Sequence, residues 1–194
     1  MPEIADPSPV PLARRLTVCG IAELEGFHGA GVSHVLSLLD PATPDPPALA
    51  GLGFKHHRML YFHDVTASFA GYAAPQIEHV EGVLAFGREL ADAQEALDHL
   101  LVHCHMGISR STAAMAILLA QTKAGSEEHA FDTLFAIRPR GWPNSRMIAI
   151  ADRLLQRRGA LEAALRRHQR RIIEHHPDIA ELVVSVGRGS ELPR

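Results

Sequence analysis

Between Leu100 and Ala120 the chain changes character twice, and few folds accommodate that change. Leu100-Leu101-Val102 is a short apolar run with the pattern of a buried strand. Thr112 to Ala120 is almost wholly apolar and long enough for a core helix. Between them lies His103-Cys104-His105-Met106-Gly107-Ile108-Ser109-Arg110-Ser111. A strand, a tight loop and a helix in that order make an anion-binding cradle. Successive loop N–H groups point inward, and the helix N-terminus adds the positive end of its dipole. A cysteine placed in that field, beside a cation, is favoured as the thiolate. An arginine six positions later offers a planar fork of donors that suits two phosphate oxygens. Nucleophile and clamp therefore share one short loop, as phosphoryl transfer to sulfur requires. His105, Met106, Gly107, Ile108 and Ser109, with Arg110, are the candidate substrate-binding residues.

The surrounding sequence predicts an α/β fold, a single central, mostly parallel sheet of about four to five strands flanked by helices. Strands are expected at Leu16–Ile21, Val32–Leu39, Arg58–His63 and Leu100–His103. Helices are expected over 76–90, 111–123, 127–137, 145–157 and 160–173. In the last of these Leu161, Leu165, His168 and Ile172 share a face, and the arginines around them read as a solvated surface. Residues 1–13, with Pro2, Pro7, Pro9 and Pro11, read as an arm. Residues 14–157 form the expected catalytic domain and 158–194 a helical extension, in which Ile179, Leu182, Val183 and Val186 are able to dock.

Composition excludes several classes. Apolar residues make up 46% of the 194, enough for a real core. The net charge of −3 gives no global basic surface for nucleic acid. The run from Ala113 to Ala120 is far too short for a membrane span. Two cysteines, and an acidic, proline-broken start unlike a secretory signal, lead to an expected cytoplasmic location. Thirteen histidines invite a metal site, but adjacent pairs such as His56-His57 and His175-His176 lack ligand spacing. No metal and no organic cofactor are expected. Oligomeric state is not legible.

Residues 103–111 resemble the signature of the cysteine-dependent protein tyrosine phosphatases: His-Cys, five residues, Arg, then Ser or Thr. Gly31-Val32-Ser33-His34-Val35-Leu36-Ser37-Leu38 resembles the Gly-Ile-Thr-His-Val-Leu-Asn-Leu segment of the dual-specificity phosphatases. Ile137-Arg138-Pro139 and Pro143-Asn144 resemble their Arg-Pro…Pro-Asn segment. The resemblance runs from about residue 14 to residue 157 and is nearest the compact dual-specificity-like branch, its bacterial members included. Arginine outnumbers lysine 17 to 2, a bias associated with GC-rich bacterial genomes.

The resemblance implies a phosphatase acting on phosphorylated proteins or small phosphate esters through a cysteinyl-phosphate. In it, Ser111 donates to the thiolate and eases its departure. It places a general acid on a loop upstream of the cysteine, where Asp64 follows Leu60-Tyr61-Phe62-His63. Asp92 and Asp98 are weaker rivals, flanking the strand end opposite the cradle. His103 is expected to brace the loop and stabilise the thiolate electrostatically. Chain order argues against low-molecular-weight phosphatases and arsenate reductases, which carry the signature near their N-terminus. Substrate class stays open among phosphotyrosine, phosphoserine/threonine, phosphoinositides and inositol phosphates; a catalytically weak phosphate-binding module is the alternative of another class. The absence of lysine between Cys104 and Arg110 weakens the inositide reading.

Overall fold

A computed structural model describes residues 12–92 and 97–193. The expected arm over residues 1–13 therefore lies almost wholly outside the described residues. Four strands, β1 (Arg15–Gly20), β2 (His34–Leu39), β3 (His56–Tyr61) and β4 (His99–Cys104), form one sheet in the order β1-β4-β2-β3. All three pairings are parallel. The inner strands β2 and β4 are buried at every position, which explains why they read as nearly continuous apolar runs.

The two faces of the sheet are covered unequally. Alternation along the strands sends Leu36, Leu38, Leu100, Val102 and Cys104 into the main core. There they meet α1 (Ile77–Asp92), α2 (Arg110–Gln121), α3 (Glu127–Ile137), α4 (Ser145–Leu154) and α5 (Ala160–His175). The opposite face presents Cys19, Val35 and Leu101 to a smaller cluster under two 3-10 helices, Ile21–Phe27 and Pro47–Gly51.

Several boundaries differ from expectation by a residue or two; β2 begins two residues later, at His34, and two further shifts have a visible cause. β3 begins two residues earlier, because pairing with β2 brings the polar His56 and His57 into register with His34 and Val35. α4 stops at Leu154 and not at 157. Gln156 and Arg158 adopt left-handed backbone, and the Asp152 carboxylate accepts hydrogen bonds from the N–H groups of Gly159 and Leu161, starting the next helix. Leu161, Ala164 and Leu165 of α5 complete the main core. Beyond it α6 (Asp178–Ser185) docks through Ile179 and Val183, joining Trp142 and Ile172, while Leu182 and Val186 face out.

Candidate active site

Parallel sheets gather their ligand-binding groups at the carboxyl ends of the strands. β2 and β4 are neighbours, so Asp40, just after β2, and Cys104, at the end of β4, share one rim. Cys104 closes the strand, residues 105–109 form the loop, and Arg110 opens α2.

That loop is held by its carbonyls. The His105 oxygen accepts from the Ile21 N–H at 3.0 Å. The Met106 and Gly107 oxygens accept from Arg138, at 3.3 and 3.0 Å. The Ile108 oxygen takes the Trp142 N–H at 2.8 Å, and the Ser109 oxygen takes that of Ala113 at 2.9 Å. Each carbonyl is thus drawn to the outside. The N–H groups of 105–109 meet no acceptor among the described residues and remain for an anion. Gly107 has φ of +68°, and a Cβ there would come within 2.4 Å of the Cys19 backbone, so only glycine lets loop and β1 approach.

Cys104 and Ser111 are both buried, with Sγ and Oγ 3.1 Å apart. Arg110 is 3% exposed. Its Nη1 donates to Asp40 Oδ1 and to the Phe62 carbonyl, each at 2.6 Å, which fixes the guanidinium plane. Its Nε is buried without a partner. Asp64 lies beyond, its Oδ2 4.0 Å from that Nε. Asp64 Oδ1 accepts from Ser109 Oγ at 2.6 Å and from Asn144 Nδ2 at 2.9 Å. The structure therefore brings Cys104, Ser109, Arg110, Ser111 and Asp64 together. His105 sits half-buried beside Asp40, Met106 is exposed at the loop tip, and Ile108 packs toward Trp142. Asp98 faces Arg14 at the start of β4, the end of the sheet remote from the cradle, and Asp92 ends α1.

His103 plays a different part from the one expected. It points to the face opposite Cys104, with Nε2 2.6 Å from Ser37 Oγ, and the same hydroxyl lies 2.8 Å from His57 Nε2. Burial pushes its pKa down to about 4. It is uncharged at neutral pH and offers no cation to the thiolate; its bond to Ser37 ties β4 to β2. Cys19 is also on that far face, and burial pushes its thiol up to about 12. Both cysteines are free, and a bridge from Cys19 to Cys104 would have to cross the sheet.

Sequence reasoning assigned no role to Asp40, Asn144, Arg138 or Glu23. Arg138 forms a two-point ion pair with Glu23, both contacts 2.8 Å, while holding two loop carbonyls. Asn144 caps α4 and reaches Asp64. The position of Asp40 at a strand's carboxyl end was the one signal available for it. Among the described residues no group of three or more His, Cys, Asp or Glu side chains is arranged to hold a metal. No helix of the described residues is long and apolar enough to cross a membrane.

Dual specificity protein phosphatase 12 of Mus musculus is 29% identical over 120 residues, covering 61% of this chain and 32% of that protein. A crystal structure of a mouse putative dual specificity phosphatase, complexed with zinc tungstate, superposes with a TM-score of 0.56 at 20% identity, over 84% of this chain and 96% of the other. Human DUSP28 superposes equally well, with a TM-score of 0.56 at 21% identity, over 79% and 98%. The chain is thus similar in sequence to a dual-specificity phosphatase and in fold to solved dual-specificity phosphatases. These relatives are phosphatases and hence hydrolases. The chain spans about a third of the length of the curated relatives it matches. No protein-family model matches it.

Proposed function

We propose that this chain is a cysteine-dependent phosphomonoesterase acting on phosphorylated protein side chains, phosphotyrosine first and phosphoserine or phosphothreonine with it. The observation that carries this reading is the loop of residues 105–109, whose carbonyls are bonded outward. Its N–H groups without an acceptor lie between Cys104 and Arg110 in the chain, and Arg110 Nε is buried without a hydrogen-bond partner. In the proposed reaction the Cys104 thiolate attacks phosphorus in line. A sulfur–phosphorus bond forms as the bond to the leaving oxygen breaks. Loop N–H groups and Arg110 hold the equatorial oxygens, where charge develops. Asp64 gives its proton to the leaving oxygen and then, as carboxylate, takes one from the water that cleaves the cysteinyl-phosphate. Ser111 donates to the departing sulfur. No step needs a metal or an organic cofactor.

Turnover of an aryl phosphate, with trapping of phosphate on Cys104 after rapid acid quench, tests this reading. Inorganic phosphate binding without turnover would instead make the chain a phosphate-reading module. Faster turnover of a soluble inositol phosphate than of a phosphotyrosine peptide would reassign the substrate.

A further inference from the structure

The C-terminal segment after α6 reaches the site. Arg188, 7% exposed, donates from Nη1 to Ser109 Oγ at 2.6 Å, and the same nitrogen lies 3.8 Å from Asp64 Oδ1. The guanidinium is itself held in place. Its Nε and Nη2 donate to the two oxygens of Glu191 at 3.0 and 2.7 Å. Glu191 also accepts from Trp142 Nε1 and Ser145 Oγ, each at 2.9 Å, so every buried charge is compensated.

Donor and acceptor counting turns this network into a directional statement. Arginine has only donors, so the contact with Ser109 is Arg188 donating. A serine hydroxyl has one proton, and with Arg188 on a lone pair that proton goes to Asp64 Oδ1. Asn144 is oriented in the same way: its Oδ1 accepts the Met147 N–H at 3.2 Å, which turns its amide nitrogen toward Asp64. Asp64 Oδ1 thus receives two hydrogen bonds and is the acceptor oxygen. The proton of a neutral Asp64 belongs on Oδ2, the oxygen nearer Arg110.

We infer that Arg188 is a positioning residue for the general acid: the C-terminal segment orients Ser109 so that Asp64 presents its proton from Oδ2 to the leaving group. This rests on the proposed function and deepens it, because the segment then determines how well the site handles alkyl esters, the phosphoserine and phosphothreonine class, which must be protonated to leave. A good aryl leaving group departs without that help.

The test uses the full chain and two substrates, an alkyl phosphate and an aryl phosphate whose phenol is acidic. With Arg188→Ala, kcat for the alkyl ester is expected to fall about tenfold or more, and for the aryl ester less than about threefold. Adding Arg188→Ala to an Asp64→Asn chain should cost less than about twofold further on the alkyl ester, since its route through Asp64 is gone. Arg188→Lys, which keeps a donor, should restore part of the loss. If Arg188→Ala does not fold, Ser109→Ala, which removes the hydroxyl that links Arg188 to Asp64, should show the same leaving-group split. Equal losses on both esters, or full additivity with Asp64→Asn, would overturn the inference. A wild-type chain that turns over neither ester would fail the proposed function instead.

Discussion

The signature loop and the acid-bearing loop face each other across the cradle but are built on opposite plans. In residues 105–109 every carbonyl has a backbone or arginine partner, and Gly107 is wedged against β1. The loop that carries Asp64 continues through residues 67–73, all exposed. Its own bonds are few, chiefly the Phe69–Tyr72 bridge and the His63–Ala73 contacts. Its ties to the body come from elsewhere: Asn144 to Asp64, Ser109 to Asp64, and Arg146 to the Pro75 carbonyl. In the proposed reaction one loop is preorganised for charge that appears with every substrate. The other is held by a few side chains, where adjustment to different leaving groups is tolerable. Electrostatic preorganisation of the first kind is normally the larger contribution to rate.

The comparison breaks if the signature loop does not carry the chemistry. Cys104→Ser keeps the shape but supplies a poor nucleophile. Turnover is expected to fall below about one per cent of wild type, while inorganic phosphate still binds, as isothermal titration would show. Residual activity of a few per cent or more would remove the cysteinyl-phosphate mechanism.

Asp64→Asn addresses the second loop. Loss of a general acid costs on the order of 10²–10⁴ where protonation is required, so alkyl esters should suffer that loss. An aryl ester with an acidic phenol should lose far less. Equal losses would mean that Asp64 works as part of the cradle and that the two loops are not separable.

Arg110→Lys sharpens the comparison from the other side. Lysine keeps the charge but cannot use Nη1 on Asp40 and Phe62 while leaving Nε for phosphate. A drop in kcat/KM of about tenfold or more, on the order of 1.4 kcal/mol, is expected and should be the same for both ester types. Near-wild-type kinetics would show that the loop N–H groups alone bind the phosphoryl group.

The two loops also differed in how far they were legible in the sequence. Cys104 to Ser111 lies on contiguous chain, and the apolar flanks that became β4 and α2 give its geometry away. Asp64 is singled out by the resemblance, which places an acid after a strand upstream of the cysteine. Asp40 directly follows β2 and Asn144 lies in the Pro143-Asn144 segment, but what these two and Arg188 touch is decided only when distant elements pack. Strand β3 was misplaced by two residues because an edge strand need not alternate cleanly, and its His56 and His57 carry no apolar signal. His103 was legible as a neighbour of the nucleophile, but its charge state depends on burial against Ser37 and His57, which no residue pattern near it announces.

The smallest expected effect concerns the supports behind the signature loop. Burial pushes both His103 and His168 down to about 4 from an ordinary 6.5. His168 is 4% exposed, with Nε2 3.3 Å from the Gly141 carbonyl and its ring against Phe131; Arg171 and Asp132 are the charged groups nearest it. Between about pH 6.5 and 4 the unfolded chain binds protons at these sites and the folded chain does not. Their contribution to stability is therefore complete above pH 6.5 and is lost as pH falls toward 4, by up to about 1.4 kcal/mol per pH unit for each histidine. His168→Gln removes one such proton and keeps a polar side chain able to reach Gly141. Urea unfolding from pH 7.5 to 4.5 should show a shallower fall in stability for the variant, by as much as one proton's worth of slope. An unchanged slope would mean that His168 takes up its proton in the folded state, and that the packing of α5 behind Gly141 is looser than its burial implies.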